Sequence, residues 1–282
     1  MTRTWFITGA NRGMGRAFTR AALERGDRVV ATARDPRGLA DLAQDRLTVL
    51  PLDVRDRERV IAVVNQAFEQ SGAIDVIVNN AGFGLVGALE ELDEAAIRTQ
   101  MDTNFYGALW VSQAAVPHLR KQGSGHIVQI STVGAVGSLP LFGMYNASKW
   151  ALEGFSASLA DELRPFGIHV SIAQLGGFDT DWAGSSMRFP SEPLAAYDGT
   201  RQAILGMPTY PDPSAPPAPT DGDQQWTEPA PEIGAAELLQ LVDLPNPPLR
   251  RIIGPGAREM VTMALDARRQ DYLTDPEFTW PS

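Results

Sequence analysis

Cysteine is absent from the 282-residue chain, which excludes disulfides, thiolate nucleophiles and cysteine-ligated metal sites. Histidine is scarce. His118, His126 and His169 are too scattered to form a local metal cluster; they read as structural or surface residues, and no metal is expected. Long apolar runs are missing as well: none approaches the roughly 20 residues that span a bilayer. The chain passes from Met1-Thr2-Arg3 straight into Thr4-Trp5-Phe6-Ile7, so no signal peptide is expected and a soluble, cytoplasmic protein is. Positive charge is the minority, with 24 Lys and Arg against 34 Asp and Glu. The resulting net charge of -10 repels phosphate backbones and anionic lipid. Neither nucleic acid nor a membrane is therefore an expected partner.

What is present is a regular alternation. Short apolar runs at 4–8, 28–33, 47–50, 75–78, 126–130, 168–173 and 249–253 are separated by helix-length segments, beginning with Gly13 to Arg25. Parallel strands need such crossovers, and right-handed ones build an open, doubly wound sheet with helices on both faces. The expectation is one Rossmann-like α/β domain over 1–282 with about seven strands. The proline-rich stretch from Pro208 to Pro231 breaks the pattern, because proline removes backbone donors and forbids a long helix or central strand. It reads as part of a lid over about 181–234, or as a solvated insertion without consequence. A helix is expected near Ala235 to Val242, then a closing strand and an amphipathic helix within 249–272. There is no internal repeat.

Between the first strand and the first helix lies Thr8-Gly9-Ala10-Asn11-Arg12-Gly13-Met14-Gly15. Backbone amides and the positive end of a helix can hold a pyrophosphate there, and glycines let the phosphate and the helix approach. The spacing T-G-x-x-x-G-x-G resembles the nucleotide-binding turn of the short-chain dehydrogenase/reductase family, which brings Gly9, Asn11, Arg12, Gly13, Met14 and Gly15 into the cofactor site. At the end of the second strand, where NAD enzymes carry a carboxylate for the ribose hydroxyls, stands Ala33. Arg34 follows, and with Arg12 it offers two guanidinium groups to a 2′-phosphate. NADP(H) is the expected cofactor, with Asp35 a neighbour of opposite sign.

The resemblance continues to about Thr180. Asp53 and Val54 match the place where family members hold the adenine, although Asp53 reads equally as a cap for a helix over 55–71. Asn79-Asn80-Ala81-Gly82 matches the family's N-N-A-G, so Asn80, Ala81 and Gly82 are expected along the cofactor's path. Asn104 stands where the family has an asparagine that bends a helix and anchors a water reaching the catalytic lysine. Tyr145-Asn146-Ala147-Ser148-Lys149 is the family's Y-x-x-x-K, and its spacing puts both side chains on one helix face. A phenol titrates near pKa ~10, so an ammonium beside it is the physical means of bringing the phenolate toward neutral pH. Tyr145 is implied as general acid or base, and Lys149 as its support and a ribose ligand. The third hydroxyl is Thr132, thirteen residues before Tyr145, or its neighbour Ser131. In the run Gln174-Leu175-Gly176-Gly177-Phe178-Asp179-Thr180, Gly176, Phe178 and Thr180 are implied as nicotinamide contacts, with Leu175 where the family has proline.

Trp182, Met187, Phe189, Tyr197, Met207 and Tyr210 either line an apolar pocket over the nicotinamide or simply pack a helix on the sheet. The expected activity is interconversion of a lipophilic ketone or aldehyde with its alcohol. A catalytically silent NADP(H)-binding regulatory protein, and an epimerase or dehydratase on the same fold, are the alternatives. The resemblance further implies a homodimer or homotetramer assembled through the helices that carry Asn104 and Tyr145.

Overall fold

A computed structural model describes residues 2–180, 186–211 and 228–280. Seven parallel strands form one sheet: β1 (Thr4–Thr8), β2 (Arg28–Ala33), β3 (Leu47–Pro51), β4 (Val76–Asn79), β6 (Gly125–Thr132), β7 (Ile168–Leu175) and β9 (Arg250–Ile253), in the order β3-β2-β1-β4-β6-β7-β9. The order reverses between β1 and β4, so the crevice at the exit ends of these strands is where an open α/β sheet takes its ligand. The fold is a Rossmann-like, doubly wound α/β sheet.

Helices cover both faces. On one side α1 (Gly13–Glu24) and α7 (Pro231–Asp243) pack Phe18, Leu23, Leu238 and Leu241 against Trp5, Ile7 and Val78. On the other, α2 (Arg57–Ser71), α4 (Gly107–Gln122) and α5 (Gly143–Leu163) pack Val63, Val111 and Leu159 against Phe6, Ile77 and Ile127. Alternate residues of one strand thus serve two cores, which is why the strands read as continuous apolar runs. α2 opens at Arg57, two residues later than the sequence pattern suggests, because the Asp56 side chain accepts from the Arg59 amide at 3.0 Å. Asp53 is therefore not its cap.

Three features go beyond the sequence expectation. β6 and β7 each run two residues past their apolar cores, to Thr132 and Leu175, which pair with one another. A separate parallel pair joins β5 (Gly84–Leu85) to β8 (Met187–Arg188), and α6 (Asp198–Leu205) follows it. α7 begins at Pro231, the first-turn position at which proline loses no hydrogen bond. α8 (Ala257–Leu273) closes the fold as expected. Trp182 and 212–227 of the proline-rich stretch lie outside the described residues.

Candidate active site

The glycine turn leaves β1 at Gly9, whose φ of +63° suits glycine; a Cβ there would sit 2.9 Å from the Ala81 Cα. A Cβ on Gly15 would come within 2.3 Å of the Gly9 carbonyl, so the helix lies against the turn as closely as backbone allows. Thr8 and Asn80 brace it. The Asn80 and Ala81 amides donate to the Thr8 hydroxyl, each at 3.0 Å, and the Asn80 side chain donates to the carbonyls of Thr8 and Gly9 at 3.0 and 3.1 Å. α1 begins at Gly13 with no side-chain cap and no acidic residue in its first turn. Its amide end, with Asn11, Arg12 and Met14 beside it, faces a cavity of about 920 Å³.

Along that cavity Arg34 lies between the turn and Asp53, and Val54 follows. Asp53 is held by Arg55 through its side chain and amide, which keeps the carboxyl below its usual range. Asp35 is turned toward Arg37, which grips it with its guanidinium and amide and holds it down to about 2. The neighbour of opposite sign is thus engaged with Arg37, while Arg34 makes no hydrogen bond or ion pair among the described residues.

At the exit ends of β4, β6 and β7 the remaining candidates converge. Tyr145 and Lys149 lie one helical turn apart on α5 and are buried, 9% and 6% exposed. Thr132 ends β6 and hydrogen-bonds the Tyr145 phenol. Ser131 points the other way and donates to Glu153 at 2.7 Å. Burial pushes Tyr145 up to about 12, against the opposing Thr132 hydrogen bond. Burial pushes Lys149 down to about 8, against the attraction of Glu153. The Lys149 ammonium donates to the Ile130 carbonyl at 2.8 Å. In this arrangement the phenol keeps its proton at neutral pH and can give it to an oxygen, with Thr132 as a second hydrogen-bonding group.

Asn104 lies in a π-helical turn, Asp102–Tyr106, between α3 (Glu94–Met101) and α4. Its side chain accepts from the Phe83 amide at 3.0 Å and donates to the Phe83 carbonyl at 2.9 Å and the Ser148 hydroxyl at 3.1 Å. Gly82 fits between it and the lysine: a Cβ would lie 3.1 Å from Asn104 Oδ1 and 3.6 Å from Lys149 Nζ. Beyond β7, the Gly176 amide donates to Ile253 at 2.9 Å, Phe178 is buried under Gly234 and Gly254, and Thr180 folds back over Gly13. A leucine at 175 keeps its amide, and β7 stays in register with β9 to its end.

Sequence reasoning missed Glu153. This carboxylate is buried on α5, one turn past Lys149, and accepts from Ser131, from Gln174 at 3.0 and 3.1 Å and from Arg250 at 3.3 Å. Its signal was there: an acid on the lysine's own helix face. Missed too was the buried pair of Arg201 and Glu91, 2.6 Å apart, which Asp198 and the Tyr210 hydroxyl join. Of the aromatic and methionine side chains after Thr180, Phe189 lines the cavity, with Leu85, Leu139, Phe142 and Met260. Met187 and Tyr197 pack with Val86, Ala88 and Leu141, Tyr210 stacks on Phe189 at 5.3 Å, and Met207 is exposed.

The model of the short chain dehydrogenase family matches residues 3–189. An oxidoreductase of Botryotinia fuckeliana is 38% identical over 272 residues, 94% of each chain. A 3-ketodihydrosphingosine reductase of Bacteroides thetaiotaomicron is 33% identical over 269 residues, covering 95% of this chain and 92% of that one. Among solved structures, a short-chain dehydrogenase from Streptomyces avermitilis superposes with a TM-score of 0.83 at 34% identity over 97% of both chains. A metagenomic short-chain oxidoreductase in complex with NADP superposes with a TM-score of 0.59 at 30% identity, over 62% of this chain and 82% of that one. A nucleotide-type turn and a tyrosine–lysine helix meeting at the switch point of this sheet are the family's arrangement, and the chain belongs to the short-chain dehydrogenase/reductase family of oxidoreductases. Its cofactor class is NAD(P).

Proposed function

We propose that this protein interconverts a lipophilic ketone or aldehyde and its alcohol with NADP(H). The observation that carries the reading is the Thr132–Tyr145–Lys149 group, its tyrosine and lysine buried, opening into the same cavity as the glycine turn. When bound, the cofactor supplies or accepts the hydride. The amide end of α1 and Gly9, Gly13 and Gly15 fit a pyrophosphate, Arg12 and Arg34 suit a 2′-phosphate, and Asp53 and Val54 border the space for an adenine. Asn80, Ala81 and Gly82 line the way to the nicotinamide end, where Gly176, Phe178 and Thr180 lie. In reduction Tyr145 gives its phenolic proton to the substrate oxygen, Thr132 hydrogen-bonds that oxygen, and Lys149 offsets the charge left on the phenolate. Asn104 and Ser131 are supports, the first for the Phe83 segment, the second for Glu153. A lipophilic substrate suits a wall made of Leu85, Leu139, Phe142, Phe189 and Met260.

The test is oxidation of NADPH by a panel of apolar ketones. Tyr145→Phe should lower kcat by roughly a hundredfold or more while leaving NADPH affinity within about twofold. Thr132→Ala should lose activity and Ser131→Ala should keep most of it; the reverse would assign the hydroxyl to Ser131. Arg34→Glu should reverse a preference for NADPH over NADH. Tight NADPH binding without turnover of any ketone would favour a silent binding protein. A homodimer or homotetramer through α4 and α5 is proposed on family grounds, and sedimentation velocity would read it.

A further inference from the structure

We propose that Arg188 binds a carboxylate on the substrate, so that the preferred ligand is an apolar ketone or alcohol that also carries an acid group; this rests on the oxidoreductase reading above.

Position comes first. Leu85 and Arg188 are paired across the β5–β8 ladder, and both line the cavity. β5 follows directly from Gly82 and Phe83, the segment that Asn104 holds against Lys149. Arg188 therefore belongs to the wall at the reaction end of the cavity, beside apolar neighbours such as Leu85 and Phe189. The other charged lining residues serve elsewhere: Arg12, Arg34, Asp35, Asp53 and Arg55 lie toward the adenosine end, Glu228 lies against Gly177, and Lys149 is buried with its ammonium on the Ile130 carbonyl.

Charge comes second. In a chain of net charge -10, arginines at many places are engaged by carboxylates: Arg16 by Asp41, Arg25 by Asp27, Arg37 by Asp35, Arg55 by Asp53, Arg201 by Glu91. The Arg188 backbone is tied to β5, its carbonyl accepting from the Val86 amide at 2.9 Å, while its guanidinium has no hydrogen bond or ion pair among the described residues and the residue is exposed. Arg34 shares that property at the opposite end, where the proposed cofactor brings a phosphate. A guanidinium takes a carboxylate in a planar, two-bond, charge-assisted fork, and the apolar side chains beside it in the cavity wall would take the rest of the ligand.

The experiment measures binding of medium-chain oxo-carboxylates of graded chain length, and of their methyl esters, to the NADPH-loaded protein by calorimetry, with turnover recorded in parallel. Wild type should bind the best acid roughly tenfold more tightly than its ester. Arg188→Gln should abolish that preference with NADPH affinity unchanged, and Arg188→Lys should restore part of it. Absence of the preference in wild type, or its survival in Arg188→Gln, would overturn the proposal. An Arg188-dependent preference without turnover of acid or ester would leave the anion site standing and sink the oxidoreductase reading instead.

Discussion

Two buried residues of opposite charge, Lys149 and Glu153, sit one turn apart on α5, and their balance decides how the site titrates. Burial alone disfavours the ammonium, and the carboxylate supports it. Glu153→Gln keeps an acceptor for Ser131 but removes the charge, so Lys149 should lose its proton at lower pH than about 8. The alkaline limb of kcat/KM for ketone reduction should then move to lower pH by up to roughly one unit. A loss of activity that is uniform across pH would reduce Glu153 to a structural brace. Gly9 makes a second case at this scale. Alanine there meets both a φ of +63° and the Ala81 backbone, and should cost about 1–3 kcal/mol, visible as a lower denaturation midpoint together with weaker NADPH binding.

The elements differ in how far the sequence announced them. All seven strands of the main sheet were legible; the inner ones stood out because a strand buried on both faces has little room for polar alternation, whereas the edge strands β3 and β9 are only partly buried. The ends of β6 and β7 were not, since Ser131, Thr132 and Gln174 look like loop residues and their pairing is dictated by the neighbouring strand. The β5–β8 pair was illegible for a different reason: two residues carry no period, and the partners are more than a hundred positions apart. The candidate tyrosine, lysine and glycines were readable from spacing; the partners that Ser131 and Thr132 take were not, because Ser131 is engaged by Glu153 of α5, a contact 22 positions away in sequence. α6 is likewise held by long-range contacts. Glu91 accepts from Arg201, Tyr210 and the Leu194 amide, fastening this helix to the segment after β5. Arg201→Met should leave Glu91 with its strongest partner gone, speed hydrogen exchange over 194–205, and raise KM roughly severalfold with kcat less affected. Unchanged exchange would show that apolar packing of Met187, Phe189 and Tyr197 suffices to hold the helix.

For the molecule as a whole, one source of acid sensitivity lies far from the cavity. His126 is buried near the start of β6, with Nε2 2.9 Å from the Ser171 hydroxyl, and burial drives its pKa from 6.5 down to about 3, helped by His169 and Arg3. Between those values the unfolded chain binds a proton that the folded chain refuses, so stability falls as pH drops through this window, by several kcal/mol in total. Urea denaturation between pH 7 and pH 4 should show that slope, and His126→Asn should flatten it; an equal slope in the variant would place the acid sensitivity in other groups. Because every strand of the main sheet runs the same way, the molecule has two poles. Its entry pole carries His126, Asp27 and Asp75, which anchor the starts of strands, and its exit pole carries the glycine turn, Thr132 and Tyr145. The acid sensitivity that His126 brings and the choice of substrate are therefore separately tunable traits: a lineage, or an engineer, can rewrite that buried histidine without renegotiating the exit pole.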